Sequence, residues 1–343
     1  MGRALLRRSF IVVVALLALL VVAIVLWIAV TQRARALREI HSVEELDGGN
    51  GRWVRVDDGE LHVQEWGRAD APVLLLTHGT GAWSGTWFAL PEALAAAGWR
   101  VVAVDLPPFG LSKASVHDGP VDYTRVAQAD RILQLIDRLG GSVTLVGHSF
   151  GAGPALEASM RGGDRVRRLV LVDPALGLGP AGEAPHCESP DGPGLLLSNR
   201  RVRSALVAAT ATWPGLTATM LRSFVHRKSV IDETLLPAYR LPFGRSDFSD
   251  GLGDWAATFA QSACERAASL DLDALARWSS TGPPVRLIWG AEDTITPIVQ
   301  GRALLRAMPS AQMDVIAGVG HIPHIEDAEA FASTLLRVLE APR

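Results

Sequence analysis

The stretch Leu145 to Gly153, LVGHSFGAG, decides how this chain is read. It sets one serine between two glycines, Gly147-x-Ser149-x-Gly151, after an apolar run from Val143 to Gly147 and before a helical pattern from Phe150 to Arg161. A strand that turns sharply into a helix exposes the residue at the turn. It also brings the backbone close to the positions two before and two after, which then favour glycine. Glycine and serine are common, so the pattern alone is weak. Its setting makes Ser149 a candidate nucleophile instead of an inert turn serine. The start of the helix also aims N–H groups and a positive dipole end at any oxyanion formed there.

A serine hydroxyl needs a base to take its proton, and the base needs an acid to orient it. Downstream, IWGAEDTITP places Asp293 three residues beyond an apolar strand, and GVGHIPHIED places His321 in a glycine-rich loop between a strand and a helix. Strand ends on one edge of a parallel sheet converge, so Ser149, Asp293 and His321 can meet there, in the chain order this architecture requires. Upstream, LLLTHGTGAW supplies a second loop, in which the backbone N–H of Thr80 joins that of Phe150 as an oxyanion hole.

The rest of the chain supports such a sheet. Trp53 to Val56 and Leu61 to Trp66 alternate around Asp58-Gly59, a hairpin signal. Short apolar runs at Val73–Thr77, Val101–Asp105, Val143–Gly147, Val166–Asp173, Val285–Gly290 and Met313–Ile316 read as buried parallel strands. Helical patterns such as Thr124 to Leu139 lie between them, so the expected fold is α/β: a mostly parallel twisted sheet flanked by helices. From about Leu176 to Thr281 the rhythm breaks. A loop-like stretch precedes helical segments near Leu195 to Ala211 and Trp255 to Ala268, which reads as a helical insertion. Its Trp213, Phe224, Tyr239, Phe243, Phe248, Trp255 and Phe259 either line a cavity or fasten the insertion to the sheet.

At the front, Phe10 to Val30 runs for 21 residues without a charge. As a helix it would be about 30 Å long, enough to cross a bilayer. The one A-x-A, Ala34-Arg35-Ala36, follows Arg33, an awkward site for signal cleavage, so the segment reads as an uncleaved anchor. Three arginines precede the span and three follow it closely. Only the free amino group tips the balance toward an N-terminus inside the cell, with the large domain outside. A net charge of −3 and the absence of a long basic run argue against nucleic-acid binding. The two cysteines, Cys187 and Cys264, are either unpaired small hydrophobes or, in an oxidising compartment, a disulfide. No cluster has the spacing of a metal site.

Six stretches together resemble the α/β-hydrolase superfamily over about Trp53 to Arg343: HGTG at 78–81, DLPPFGLS at 105–112, GHSFG at 147–151, LVLVDPA at 169–175, WGAEDTITP at 289–297 and GHIPHIEDAEAF at 320–331. The resemblance implies a helical cap inserted after the sixth strand. The expected order is then a basic tail (1–9), a transmembrane anchor (10–30), a tether (31–51), a hydrolase core (52–175 and 282–343) and the cap (176–281). It assigns the triad to Ser149, Asp293 and His321, since the family's spacing of histidine, proline and glutamate fits His321, Pro323 and Glu326 and leaves His324 aside. Asp173 competes with Asp293 as the acid, because some branches use that strand end. His78, Gly79 and His148 are expected beside the substrate, and Pro108 departs from the family's usual glycine.

Relatives that open alkyl centres carry aspartate where Ser149 stands, so serine implies acyl transfer. The expectation is a membrane-anchored serine hydrolase cleaving small-molecule carboxylic esters, among which lipid-derived esters such as monoacylglycerols are attractive. No cofactor is required. The same triad serves carbon–carbon bond hydrolases, thioesterases, amidases and haloperoxidases. A different class, a non-catalytic membrane-tethered accessory protein, is the other reading.

Overall fold

The structure is a computed structural model and describes residues 2–114, 120–179, 181–184, 187 and 198–340. Of the expected segments, residue 1 of the tail, residues 115–119 and 341–343 of the core, and residues 180, 185–186 and 188–197 of the cap lie outside them.

One sheet organises the molecule. Its strands are β1 (Arg52–Val56), β2 (Gly59–Trp66), β3 (Val73–Thr77), β4 (Arg100–Val104), β5 (Lys113–Ala114), β6 (Val143–His148), β7 (Val166–Val172), β8 (Val285–Gly290) and β9 (Gln312–Ile316). Their order is β1-β2-β4-β3-β6-β7-β8-β9, with β5 pairing only β2. The hairpin β1–β2 and the β2–β4 pair are antiparallel, and every pair from β4 to β9 is parallel. The two-residue β5 carries too short a pattern to be read from sequence. With it counted, the helical insertion follows the seventh strand.

The central strands are apolar throughout because both faces are covered. Leu75, Val102, Leu145 and Leu169 point into one core with helices α4 (Arg125–Arg138) and α5 (Ala152–Gly162). Their neighbours Leu74, Val101, Val146 and Val170 point into a second core on the opposite face, with α3 (Leu90–Ala96) and a C-terminal helix at Ala328–Glu340. Alternate side chains of a strand must point to opposite faces, so a strand covered on both sides is a continuous apolar run.

Between β7 and β8 lies the helical insertion, called the cap from here on as a label only: α6 (Arg200–Ala209), α7 (Thr217–Phe224), α8 (Leu236–Arg240), α9 (Phe248–Phe259) and α10 (Leu272–Ser279). Helices α6 and α9 pack together, with Gly253 against the Ser204 backbone. Cys187 and Cys264 are disulfide-bonded, with Cα atoms 4.7 Å apart, so of the two alternatives for the cysteines the structure has the pair. The remaining helices are α11 (Ile298–Ala307), α12 (Pro323–Glu326) and α13 (Ala328–Glu340).

The N-terminal helix α1 runs unbroken from Gly2 to Arg38, and Ser9–Arg38 within it is long and apolar enough to cross a membrane. The segment expected as a tether is structured. Thr31 is buried, Arg35 pairs with Glu39 at 2.9 Å and with Asp250 at 2.8 Å, and Arg38 donates to the Phe243 carbonyl. The buried Glu39 carboxylate accepts from the Ser249 backbone N–H and bonds to its hydroxyl. Beyond it, α2 (Val43–Asp47) starts at a capping box of Ser42 and Glu45. Asp47 then reaches His62 in β2 at 2.7 Å. Charges that read as a solvated linker are used against the cap and the core.

Candidate active site

Strand β6 ends at His148, and the chain turns at once through a short 3-10 turn into α5. Ser149 stands on that turn with φ +49°, a conformation that side chains rarely adopt. A Cβ on Gly147 would lie 2.7 Å from the Ala152 Cα, and one on Gly151 would lie 2.5 Å from the His78 carbonyl oxygen. The two glycines are therefore steric requirements of the turn.

The parallel strand ends bring the three expected residues together. Ser149 Oγ lies 2.8 Å from His321 Nε2, and His321 Nδ1 lies 2.8 Å from Asp293 Oδ2. The tautomer that fits has Nδ1–H donating to Asp293 and Nε2 accepting from Ser149, which leaves Nε2 ready to take the hydroxyl proton. Asp293 is held by its own turn, accepting from the N–H groups of Ile295 and Thr296 and from the Thr296 hydroxyl at 2.6 Å. Burial alone would raise its pKa, but hydrogen bonds from His321 and Thr296 outweigh that and hold it below the usual aspartate range. It stays an acceptor. Thr296 was missed in the sequence, although threonine three residues after an aspartate is the signature of such a turn.

Asp173, the competing acid, also sits at positive φ, +42°, at the end of β7. It is fully buried, and one carboxylate oxygen accepts from the Gly290 N–H while the other has no partner among the described residues. Burial, reinforced by the nearby Asp293 charge, pushes its pKa well above the usual range. Of the two carboxyls, the one in contact with His321 is the one whose surroundings favour its charged form.

The two histidines expected beside the substrate are placed differently. His78 spends Nδ1 on the Gly79 carbonyl at 2.8 Å and Nε2 on the Leu106 N–H at 3.0 Å, so it shapes the loop that carries Thr80. Gly79 is buried in that loop, where a Cβ would lie 2.7 Å from His148 Nδ1. His148 lies behind the triad, its Nε2 on the His321 carbonyl at 2.8 Å. Burial, with repulsion from His321, lowers its pKa to about 3. His324 is buried against Trp87 and His148 and does not reach Ser149 by any described hydrogen bond. That His78 and His148 each sit at the end of a strand was legible. Which ring nitrogen meets which backbone group was not.

Glu326 is a second residue whose role sequence reasoning missed. Its buried carboxylate accepts from the N–H groups of Gly320, His226 and Arg227 at 2.9, 3.0 and 2.6 Å. The His321 N–H donates to the Phe224 carbonyl at 2.9 Å. The histidine loop is thus laced to the cap strand that leaves α7.

Thr80 is exposed at the loop tip, while Phe150 occupies the first turn after Ser149, where helical N–H groups have no carbonyl one turn back. Next to them lies an apolar cavity of about 150 Å³, lined by Phe224, Tyr239, Phe243, Phe248 and Trp255 and flanked by Thr80 and Gly81. Five of the seven aromatics singled out in the insertion line it. Of the other two, Phe259 stacks on Trp255 and Trp213 meets Trp27 of α1. Among the described lining residues none is charged.

Residues 72–328 match the family described as the alpha/beta hydrolase fold. The chain belongs to that family. It is 28% identical over 294 residues to a 2-hydroxy-6-oxononadienedioate/2-hydroxy-6-oxononatrienedioate hydrolase of Cupriavidus pinatubonensis, covering 83% of this chain and 93% of that one. Among solved structures, a thermophilic esterase from Thermogutta terrifontis superposes with a TM-score of 0.62 at 24% identity, covering 84% of this chain and 98% of the esterase. A membrane phospholipase A described as a bacterial virulence factor has a TM-score of 0.62 at 21% identity, covering 97% of this chain and 98% of that one. At these identities the two structures speak for the hydrolase fold alone.

Proposed function

We propose that this alpha/beta hydrolase is a membrane-anchored serine hydrolase that cleaves carboxylic esters with an apolar acyl group. The observation that carries the reading is the uncharged aromatic cavity beside a hydrogen-bonded Ser149–His321–Asp293 relay. Ser149 Oγ attacks the acyl carbon as His321 Nε2 takes its proton, and the N–H groups of Thr80 and Phe150 hold the oxyanion. Collapse of the adduct passes that proton to the leaving alkoxide and leaves an acyl-serine. Water then attacks the acyl-serine as His321 takes its proton, and the acid departs as the proton returns to Ser149. Asp293 holds the imidazole in one tautomer and stabilises its charged form throughout.

A second reading, carbon–carbon bond hydrolysis, is favoured by the names of the curated relatives. Those names specify dioates. Placing a dianion in a cavity without a charged partner is costly, which favours the ester reading. The Cys187–Cys264 bond supports a catalytic domain outside the cytoplasm, since disulfides persist in oxidising compartments. The contacts of Arg35 with Ser204 and Asp250 support an anchor that is kept, because cleavage after Ala36 would remove Arg35.

The test is intact mass of the full chain in detergent after a fluorophosphonate, beside Ser149→Ala. It is followed by turnover of a soluble aryl ester against a vinylogous diketone dioate. One adduct lost in Ser149→Ala, with the ester preferred, is the expected result. No adduct on the folded protein supports the accessory reading, and preference for the dioate supports the second.

A further inference from the structure

The anchor and the cap are joined more closely than a tethered enzyme requires. From Ile28 onward one face of α1 is covered: Thr31 is fully buried, Arg35 meets Ser204 and Asp250, and Glu39 meets Ser249. Those partners lie on α6 and α9, two helices that also line the aromatic cavity through Val207, Leu252 and Trp255. Lower on α1, where the uncharged span ends, Trp27 packs edge-to-face on Trp213, with ring centroids 5.4 Å apart. Indole rings favour the boundary between hydrocarbon and headgroups, so this pair marks the level at which the helix leaves the bilayer.

Trp213 occupies the turn between α6 and α7. The rim on either side of it is apolar and open: Leu206 is 40% exposed on α6 and Met220 is 38% exposed on α7. Met220 also lines the cavity, and with Thr80 and Gly81 it forms the exposed part of that lining. The cavity, at about 150 Å³, holds roughly five groups of about 30 Å³, so a longer chain must leave through this rim.

We infer that the cap rim around Leu206, Trp213 and Met220 is a membrane-docking surface, seated in the headgroup boundary of the leaflet that α1 leaves. The cavity is then loaded from that leaflet with the acyl chain of a single-chain lipid monoester. The occupant is the bilayer because α1 is continuous with both: it carries the hydrocarbon span below Trp213 and, above it, a hydrogen bond to Ser204 of α6 and an ion pair to Asp250 of α9. A single chain fits one narrow apolar cavity. The loading step rests on the ester reading of the site; the docking does not.

Docking is tested without turnover. A nitroxide on Leu206→Cys in the full chain, reconstituted in phosphatidylcholine vesicles, is compared with one on Glu329→Cys, an exposed site on α13. Docking predicts that the label at 206 collides with oxygen more than with a water-soluble nickel chelate, and that the label at 329 does the reverse. Equal exposure to the chelate at both sites overturns docking. Shielding of 206 from both reagents also overturns it and points to a second copy of the chain on the rim.

Loading is tested with Leu206→Glu, which alters the rim without touching the cavity lining. Its rate on a water-soluble butyrate ester should stay within about twofold of the parent, while its rate on a long-chain monoacylglycerol in vesicles falls at least tenfold. Equal rates on both substrates, or an equal fall in both, overturn loading from the leaflet. A parent protein that hydrolyses neither ester overturns the ester reading and loading with it, and leaves the docking result standing.

Discussion

Replacing Glu326 by glutamine tests whether the cap and His321 are one mechanical unit. The carboxylate is 3% exposed, and its two oxygens accept three backbone N–H groups, one from Gly320 in the histidine loop and two from His226 and Arg227 in the cap. Glutamine offers one oxygen in place of two. With that oxygen toward Gly320 and His226, the amide NH2 faces the Arg227 N–H. Turned the other way, it faces two donors.

A hydrogen bond to a charged acceptor contributes about 1.5–3 kcal/mol, and a buried donor left unpaired costs about 1–3 kcal/mol. Losing one bond and orphaning one donor therefore amounts to about 2.5–6 kcal/mol. Part of it appears as stability, and part as a less well held His321. Each 1.4 kcal/mol missing from the transition state lowers turnover about tenfold. We expect Glu326→Gln to lower the urea-unfolding free energy by about 2 kcal/mol and kcat on a soluble ester by tenfold or more, with KM little changed. Arg227→Ala, which keeps the backbone N–H, is the control and should lose less of both. Wild-type kcat in Glu326→Gln at reduced stability would refute the coupling, since the cap would then be fastened without holding the histidine.

Two further outcomes follow from the electrostatics. Asp293→Asn should lower kcat by roughly 10³–10⁴-fold, because the amide cannot hold the productive tautomer. Asp173→Asn should stay within about fivefold, since burial disfavours the charged form of this carboxyl, an amide mimics its neutral form, and asparagine tolerates positive φ. Steady-state kinetics that reversed this order would move the catalytic acid to Asp173. His62 is buried between Asp105 at 2.9 Å and Asp47 at 2.7 Å. Burial lowers its pKa, but the two carboxylates outweigh that and raise it overall. The stabilisation is thus fully present below the unfolded histidine pKa of about 6.5 and is lost as pH rises through the higher folded value. Melting curves from pH 5 to 9 should show the gap between wild type and His62→Gln shrinking with pH, and a constant gap would contradict a charged His62.

The triad was legible because each member announces itself locally. Ser149 needs glycine on both sides for steric reasons visible within five residues, Asp293 follows a strand buried on both faces, and His321 follows the short edge strand β9. The cap announced itself only by the absence of strands, and its aromatics were readable as a set but not one by one. The contacts of His78 and His148 were not legible for a different reason. Both ring nitrogens of His78 and the Nε2 of His148 meet the backbone of Gly79, Leu106 and His321, and no local pattern records such partners. The Cys187–Cys264 pair, separated by 77 residues, likewise depends on how the whole cap folds back.

The segment from Thr31 to Asp47 marks the sharpest divergence between pattern and structure. Polar, charged and ending in glycines, it has the composition of a solvated linker, and composition is all a local reading can weigh. What orders it is non-local: Asp250 and Ser249 come from α9, Phe243 from the turn before it, and His62 from β2. A charge pattern states that ions are present, not whether their partners are water or a helix about 200 residues further along the chain. That difference bears on the proposed anchoring. A flexible linker would let the folded domain rotate freely above a membrane, with the cavity rim facing any direction. With α1 spanning the bilayer as proposed, a helix held against the cap from Trp27 to Glu39 would fix which side of the cap lies nearest the bilayer, and that side carries the open apolar rim.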